Sequence, residues 1–158
     1  MRVALITVSD SVANGAKADV SGPALAARCR ELKWEIVSQE VLSDDFAALA
    51  SRLAELADAA QSDLILTTGG TGLGPRDTTP EATTAVCSRL VPGLGELMRE
   101  RGRQSTPRAV LSRAVAGVRA STLIVNLPGS PRGAVESLDA VADLLPHAIA
   151  VLGGARHD

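Results

Sequence analysis

The sequence is very poor in aromatic residues, with one Trp, one Phe and no Tyr among its 158 residues. Proteins that bind single-stranded nucleic acids usually stack the bases on aromatic rings, so this scarcity argues against that class of ligand. The charges point the same way, because 16 basic and 18 acidic residues give a net charge of −2 and no run of five Lys or Arg occurs. We therefore expect no nucleic-acid partner, and any flat heterocyclic ligand must be held by backbone groups and hydrogen bonds.

Cysteines and long apolar segments are also scarce. The two cysteines, Cys29 and Cys87, lie far apart and lack the spacing of a zinc site. Neither a stretch of about 18 apolar residues nor a secretory leader pattern occurs. These absences predict a cytoplasmic protein without a membrane partner. A length of 158 residues suits a single domain over 1–158, with a loose tail from 153 to 158.

Apolar, β-branched runs alternate with helical patterns along the chain. Runs at 2–8 and 63–68 are typical of strands buried on both faces of a parallel sheet, and the run at 34–41 predicts a further strand. The runs at 113–119 and 121–127 predict a late β-hairpin. This alternation predicts an α/β protein, a three-layer α/β/α fold with a mainly parallel sheet. A loop is predicted at 9–20, and predicted helices cover 21–32, 46–60, 78–90, 94–103, 107–112 and 132–152. Ser21 is the predicted N-cap of the first helix, and Thr78 with Glu81 forms a predicted capping box in the third. Pro146 predicts a kink or a break in the last helix.

Polar residues follow the predicted strands at their carboxyl ends. Ser9-Asp10 follows the first strand, Asp44-Asp45 the second, and the glycine-rich segment 69–77 the third. The turn 126–130 follows the last strand. Carboxyl ends of parallel strands meet at one edge of a sheet, where ligands of open α/β folds bind. We therefore predict that these segments converge on one ligand site.

The segment 67–77 passes from a strand through four glycines to the start of a helix. This geometry exposes backbone N–H groups and a positive helix end to an anion such as a phosphate. It is not a P-loop, because Pro75-Arg76 follows Gly74 where Lys-Ser/Thr is required. It is not a dinucleotide fingerprint either, because Pro75 occupies the position of the third glycine. A tight turn whose glycines supply positive φ remains the alternative interpretation.

Asp77 indicates a cation at this loop. A carboxylate beside a phosphate cradle repels the ligand unless a cation intervenes, and Mg²⁺ binds through one or two carboxylates plus phosphate oxygens. Asp44 or Asp45 is the candidate for the second carboxylate, although an Asp before a helix also serves as a cap. Arg76 is either a phosphate contact or an ordinary surface charge.

Several of these motifs together resemble the MogA/MoaB family of molybdopterin-binding proteins, and the gephyrin G domain is similar. The glycine loop carries Thr68-Gly69-Gly70-Thr71-Gly72 with Arg76-Asp77 and, after them, 79–83. Further matching stretches are Ser9-Asp10 with Gly15, Asp19 and 21–22, then 111–113 and 126–131. The resemblance covers essentially the whole chain.

The resemblance implies a homotrimer that adenylylates molybdopterin with Mg-ATP and releases pyrophosphate in molybdenum cofactor synthesis. It implies a molybdenum-insertion protein as a partner. A catalytically silent molybdopterin-binding or scaffold protein of the MoaB type is the alternative. By position, Asp44 and Asp77 correspond to the catalytic, Mg²⁺-binding aspartates. The residues implied along the pterin and the nucleotide are Ser9, Asp10, Gly69, Gly70, Thr71, Gly72, Arg76, Ser112, Arg113, Asn126, Pro128, Gly129 and Ser130.

Overall fold

The computed structural model describes residues 1–154 and contains one six-stranded sheet with the strand order β2-β1-β3-β6-β5-β4. Strands β2, β1, β3 and β6 run parallel, whereas β5 pairs antiparallel with both β6 and β4. The predicted mainly parallel sheet with a late hairpin is thus confirmed. The strands are β1 (Arg2–Val8), β2 (Glu35–Leu42), β3 (Leu64–Thr68), β4 (Arg89–Leu90), β5 (Ala116–Arg119) and β6 (Thr122–Leu127).

Helices cover both faces of this sheet. Along β1, Val3 and Leu5 pack into one apolar cluster, while Ala4 and Ile6 pack into the other. Burial on both faces explains why β1 is continuously apolar. Helices α2, α5, α6 and α7 cover the first face, and α3 and α4 cover the second. The helices are α1 (Asp10–Ala13), α2 (Ser21–Glu31), α3 (Phe46–Asp58), α4 (Thr79–Val86), α5 (Pro92–Gly102), a 3₁₀ helix (Pro107–Leu111), α6 (Pro131–Val141) and α7 (Leu145–Leu152).

Two segments differ from their predicted structure. The predicted loop 9–20 begins with the short helix α1, capped by Ser9, whose hydroxyl accepts from the Val12 amide at 3.4 Å. The predicted helix 78–90 ends at Val86, and β4 follows as an edge strand. The backbone of β4 pairs with β5, which lies about 28 residues further along the chain. No local sequence pattern encodes such a distant pairing.

Helix ends differ from the prediction as well. Ser21 does not cap α2; instead Asp19 Oδ1 accepts from the Gly22 amide at 3.0 Å. The Thr78 side chain caps nothing in α4, so the predicted capping box is absent there. Helices α6 and α7 confirm the predicted division of the last helix, with Pro146 in the first turn of α7. Most of the predicted loose tail, 155–158, lies outside the described residues.

Candidate functional site

The carboxyl ends of the parallel strands are tied together by hydrogen bonds. The Ser9 amide donates to the Leu42 carbonyl at 2.9 Å, and the Gly69 amide donates to the Leu127 carbonyl at 3.1 Å. The Thr68 hydroxyl donates to the Pro128 carbonyl at 2.7 Å. The loops that follow β1, β2, β3 and β6 therefore meet at one edge of the sheet.

A cavity of about 440 Å³ opens between these loops. Six of the residues singled out in the sequence line it: Ser9, Asp44, Gly69, Gly70, Asp77 and Gly129. Its lining includes three carboxylates, since Asp19 joins Asp44 and Asp77. This combination of backbone, hydroxyl and carboxylate groups suits a ligand that carries phosphates and a cation.

The structure distinguishes the two adjacent aspartates that follow β2. Asp45 caps α3, because its Oδ1 accepts from the Ala48 amide at 2.8 Å. Asp44 faces the cavity, and its Oδ2 accepts from the Asp10 amide at 2.8 Å. Partial burial raises the pKa of Asp44, and the nearby carboxylates of Asp10 and Asp77 act in the same direction. Asp44 is thus the carboxylate that shares the cavity with Asp77.

Asp77 is enclosed by its own glycine loop. Its Oδ2 accepts from the Gly74 amide at 2.8 Å, and its own amide donates to the Gly74 carbonyl at 3.0 Å. The loop can approach the end of β1 only because its first residue is Gly69, which has φ +104°. A Cβ at that position would lie 2.2 Å from the Val8 carbonyl oxygen.

Arg76 is paired with Asp10 outside the cavity lining. Its Nε and Nη2 donate to the two carboxylate oxygens of Asp10 at 2.9 and 3.0 Å. This bidentate contact lowers the pKa of Asp10 and links the glycine loop to α1. In this arrangement Arg76 bridges two loops.

Arg113 holds the glycine loop from its other side. Its Nε donates to the Gly72 carbonyl at 2.7 Å, its Nη2 donates to the Asp77 carbonyl at 2.6 Å, and its amide donates to the Thr71 carbonyl at 2.9 Å. It also forms an ion pair with Glu81. The geometry gives Arg113 a positioning role, whereas the resemblance implies a place along the ligand.

Asn126 is fully buried beneath the site. Its Nδ2 donates to the hydroxyls of Thr67 and Thr83 at 3.0 and 2.9 Å, and its Oδ1 accepts from the Val115 amide at 3.3 Å. These bonds join β6 to β3 and to α4. Of the residues implied along the ligand, those that line neither this cavity nor the smaller one described next are Asp10, Thr71, Gly72, Arg76, Arg113 and Asn126.

A second cavity of about 190 Å³ lies on the other side of the turn 128–131. Ser112, Pro128 and Ser130 line it, together with Met98, Arg99 and Arg108. Gly129 and Pro131 of the same turn line the larger cavity. One four-residue turn therefore separates two compartments, and this arrangement suits two substrates that react where the compartments meet.

Lys17, which was not predicted as a site residue, is the basic residue among those that line the larger cavity. The segment that carries it is held against β1, because the Thr7 hydroxyl donates to Asp19 Oδ2 at 2.8 Å. The available signal is weak: Lys17 and Lys33 are the two lysines of a chain whose other basic residues are Arg, and Lys17 lies in the loop after the first strand.

The carboxylate pair of the cavity fits Mg²⁺. Within residues 1–154 there is no cluster of three or more His, Cys, Asp or Glu side chains that could by itself enclose a metal ion. Mg²⁺ requires only one or two carboxylates when phosphate oxygens and water complete its shell. Burial and, to a smaller extent, the carboxylates of Asp10 and Asp77 raise the pKa of Asp44, and a bound cation would favour its charged form.

Residues 4–147 match the family described as a probable molybdopterin binding domain. The chain belongs to this molybdopterin-binding family. A molybdopterin adenylyltransferase from Helicobacter pylori (strain J99) is 37% identical over 156 residues, which cover 98% of this chain and 89% of the relative. The molybdopterin adenylyltransferase from Escherichia coli (strain K12) is 39% identical over 146 residues, or 90% of this chain and 74% of the relative.

Among solved structures, a molybdopterin biosynthesis enzyme MoaB from Thermus thermophilus superposes with a TM-score of 0.91 at 48% identity. The superposition covers 99% of both chains. These similarities confirm the resemblance to the MogA/MoaB family and the predicted fold. Across residues 1–154, no helix of this molybdopterin-binding protein is both long and apolar enough to cross a membrane.

Proposed function

We propose that the protein adenylylates molybdopterin with Mg-ATP in molybdenum cofactor biosynthesis. The observation that carries this proposal is the pair Asp44 and Asp77 in one cavity beside Gly69 and Gly70. The curated relatives named molybdopterin adenylyltransferase support it. In the reaction, a terminal phosphate oxygen of molybdopterin attacks the α-phosphorus of ATP, the bond to the β-phosphate oxygen breaks, and pyrophosphate leaves.

Two phosphate-bearing substrates repel each other, so the protein must position them and balance their charge. When bound, Mg²⁺ would neutralise phosphate charge, and Asp44 and Asp77 would hold it. Lys17 faces the same cavity and would attract the phosphates. Gly69 and Gly70 of the glycine loop line the same cavity. No protein nucleophile is needed, because the attacking oxygen belongs to the substrate.

The two cavities suggest how the substrates are arranged. The larger one, with its carboxylates and Lys17, suits the nucleotide phosphates. The smaller one is mainly apolar, with polar groups from Ser112, Ser130 and Arg108, and suits the pterin. The turn 128–131 then lies where the pterin phosphate meets the nucleotide. The hydroxyls and the backbone of this region replace the aromatic rings that the sequence lacks.

The test is direct. Purified protein with molybdopterin, ATP and Mg²⁺ should produce adenylylated molybdopterin with one pyrophosphate per pterin, measured by chromatography and a pyrophosphate assay. Folded protein that binds molybdopterin but yields no pyrophosphate would support the catalytically silent alternative instead. The names of the curated relatives do not favour that alternative.

We further propose a cytoplasmic homotrimer that passes its product to a molybdenum-insertion protein. Partly exposed apolar side chains on and beside the edge strand β2 support self-association: Val37, Val41 and Phe46 are 40%, 39% and 44% exposed. Light scattering coupled to size exclusion should give three chain masses. A monomer at micromolar concentration would contradict the trimer without affecting the assignment of the reaction.

A further inference from the structure

Thr79, the first residue of α4, buries a hydroxyl that the fold does not use. The residue is fully buried, and within residues 1–154 its Oγ1 has no hydrogen-bond partner. Burying an unpaired hydroxyl is unfavourable, and native proteins contain few such groups. An orphaned hydroxyl is therefore a candidate for a role other than folding.

The hydroxyl points towards the open side of Gly70. A Cβ at residue 70 would lie 2.2 Å from Thr79 Oγ1 and 3.1 Å from Asp44 Oδ1. The Thr79 amide donates to the Gly70 carbonyl at 3.1 Å, so the backbone fixes this approach. The missing side chain of Gly70 thus lets the Thr79 hydroxyl pack against a residue that, like Asp44, lines the larger cavity.

The neighbouring hydroxyl on α4 is used differently. Thr83 lies one helical turn after Thr79 and is also fully buried, but its Oγ1 accepts from Asn126 Nδ2 at 2.9 Å. Thr83 is therefore part of the fold's own hydrogen bonding, whereas Thr79 is not. The two residues form a natural pair for comparison.

We propose that Thr79 is a positioning residue for Asp44, an inference that rests on the proposed function. When the cation and the nucleotide are bound, the Thr79 hydroxyl donates to Asp44 Oδ1. Asp44 Oδ2 already accepts from the Asp10 amide at 2.8 Å. A second donor on Oδ1 fixes the plane of the carboxylate and so directs it at the cation. Groups that orient a metal-binding carboxylate in this way strongly influence affinity and turnover.

The experiment compares Thr79→Val, Thr79→Ser and Thr83→Val. Thr79→Val keeps the shape and removes the orphaned hydroxyl, so we expect a thermal unfolding temperature equal to or above that of the wild type. Its kcat should nevertheless fall roughly 10- to 100-fold. Thr79→Ser should retain most of the activity because it keeps the hydroxyl. Thr83→Val should instead lose stability, because it removes one of the two hydroxyls that accept from Asn126 Nδ2.

Binding calorimetry with ATP supplies a readout that does not depend on turnover. Thr79→Val should bind ATP without Mg²⁺ as the wild type does, and should lose most of the Mg²⁺-dependent gain in affinity. Wild-type affinity and turnover in Thr79→Val, or equal losses in Thr79→Val and Thr79→Ser, would overturn the inference. If the wild type binds Mg-ATP but transfers no adenylyl group, the proposed function fails while the binding comparison still tests Thr79.

Discussion

Asp44 and Asp45 are adjacent in the sequence, yet their carboxylates serve different parts of the molecule. Asp45 Oδ1 accepts from the Ala48 amide at 2.8 Å and begins α3, while Asp44 Oδ2 accepts from the Asp10 amide at 2.8 Å and lines the larger cavity. The substitutions Asp44→Asn and Asp45→Asn each remove one negative charge, and Asn caps a helix about as well as Asp does. The pair therefore separates a role in the site from a role in the fold.

Asp44→Asn should lower turnover roughly 100-fold or more, because a neutral amide holds a cation between phosphates much more weakly than a carboxylate does. Burial and the nearby carboxylates raise the pKa of Asp44, so its charge is unfavourable in the ligand-free protein. The variant should consequently unfold at an unchanged or higher temperature. Asp45→Asn is the matched control and should keep both activity and stability. Equal activity of the two variants would remove Asp44 from the proposed site.

Lys17→Gln should weaken ATP binding, because Lys17 is the basic residue in the described lining of the larger cavity. An exposed ammonium acts through screened charge, so a reduction of about 3- to 10-fold at low salt should shrink as the salt concentration rises. Lys33→Gln is the control, since Lys33 lies in the turn before β2 and does not line the cavity. ATP titrations at two ionic strengths measure both effects. A loss that is independent of salt would contradict an electrostatic role.

Arg113→Met should loosen the glycine loop. The substitution removes the donors to the Gly72 and Asp77 carbonyls and the ion pair with Glu81. Charged hydrogen bonds of this kind contribute about 1–3 kcal/mol, so we expect lower stability together with lower turnover. Hydrogen exchange should increase at residues 71–77. Arg132→Met, which breaks the exposed pair with Glu136, should change neither property. A stable, fully active Arg113→Met would refute the positioning role.

The pair Arg2–Asp63 should make stability depend on pH. The guanidinium of Arg2 donates to Asp63 at 2.7 Å, and this contact lowers the pKa of Asp63. A carboxyl whose native pKa is depressed stabilises the fold above its unfolded pKa, and this contribution disappears as the pH falls through the native pKa. Asp63→Asn should therefore be less stable than the wild type near pH 7, by up to about 1 kcal/mol for a partly exposed pair.

Denaturant unfolding of both proteins between about pH 2 and pH 7 checks this prediction. The two curves should converge at acid pH, where Asp63 of the wild type is protonated. Activity should be unaffected at neutral pH, because Asp63 precedes β3 at the end of the sheet opposite the cavity. A stability difference that persists unchanged at the lowest pH would assign the effect to packing instead of charge.

Sequence patterns are sufficient to predict the layers of the fold and the edge of the sheet where the loops meet. A continuous apolar run such as 2–8 can bury its side chains on both faces only inside a parallel sheet that is covered by helices. The order of strands and helices then brings the loops to one edge of the sheet. The segment 67–77 also carried the family motif, whose chemistry is local to a few residues.

Which hydrogen-bond partners the individual side chains have is visible only in the tertiary structure. Asp44 differs from Asp45 because its carboxylate accepts from the amide of Asp10, which is 34 residues away in the sequence. Arg113 faces the glycine loop because its guanidinium donates to carbonyls that are 36 and 41 residues away. The edge strand β4 likewise exists through its pairing with β5. Periodicity and residue type report burial and local conformation, but a hydrogen-bond partner is chosen by where the packed chain brings two groups together. The orphaned hydroxyl of Thr79 could be recognised only in that packed arrangement.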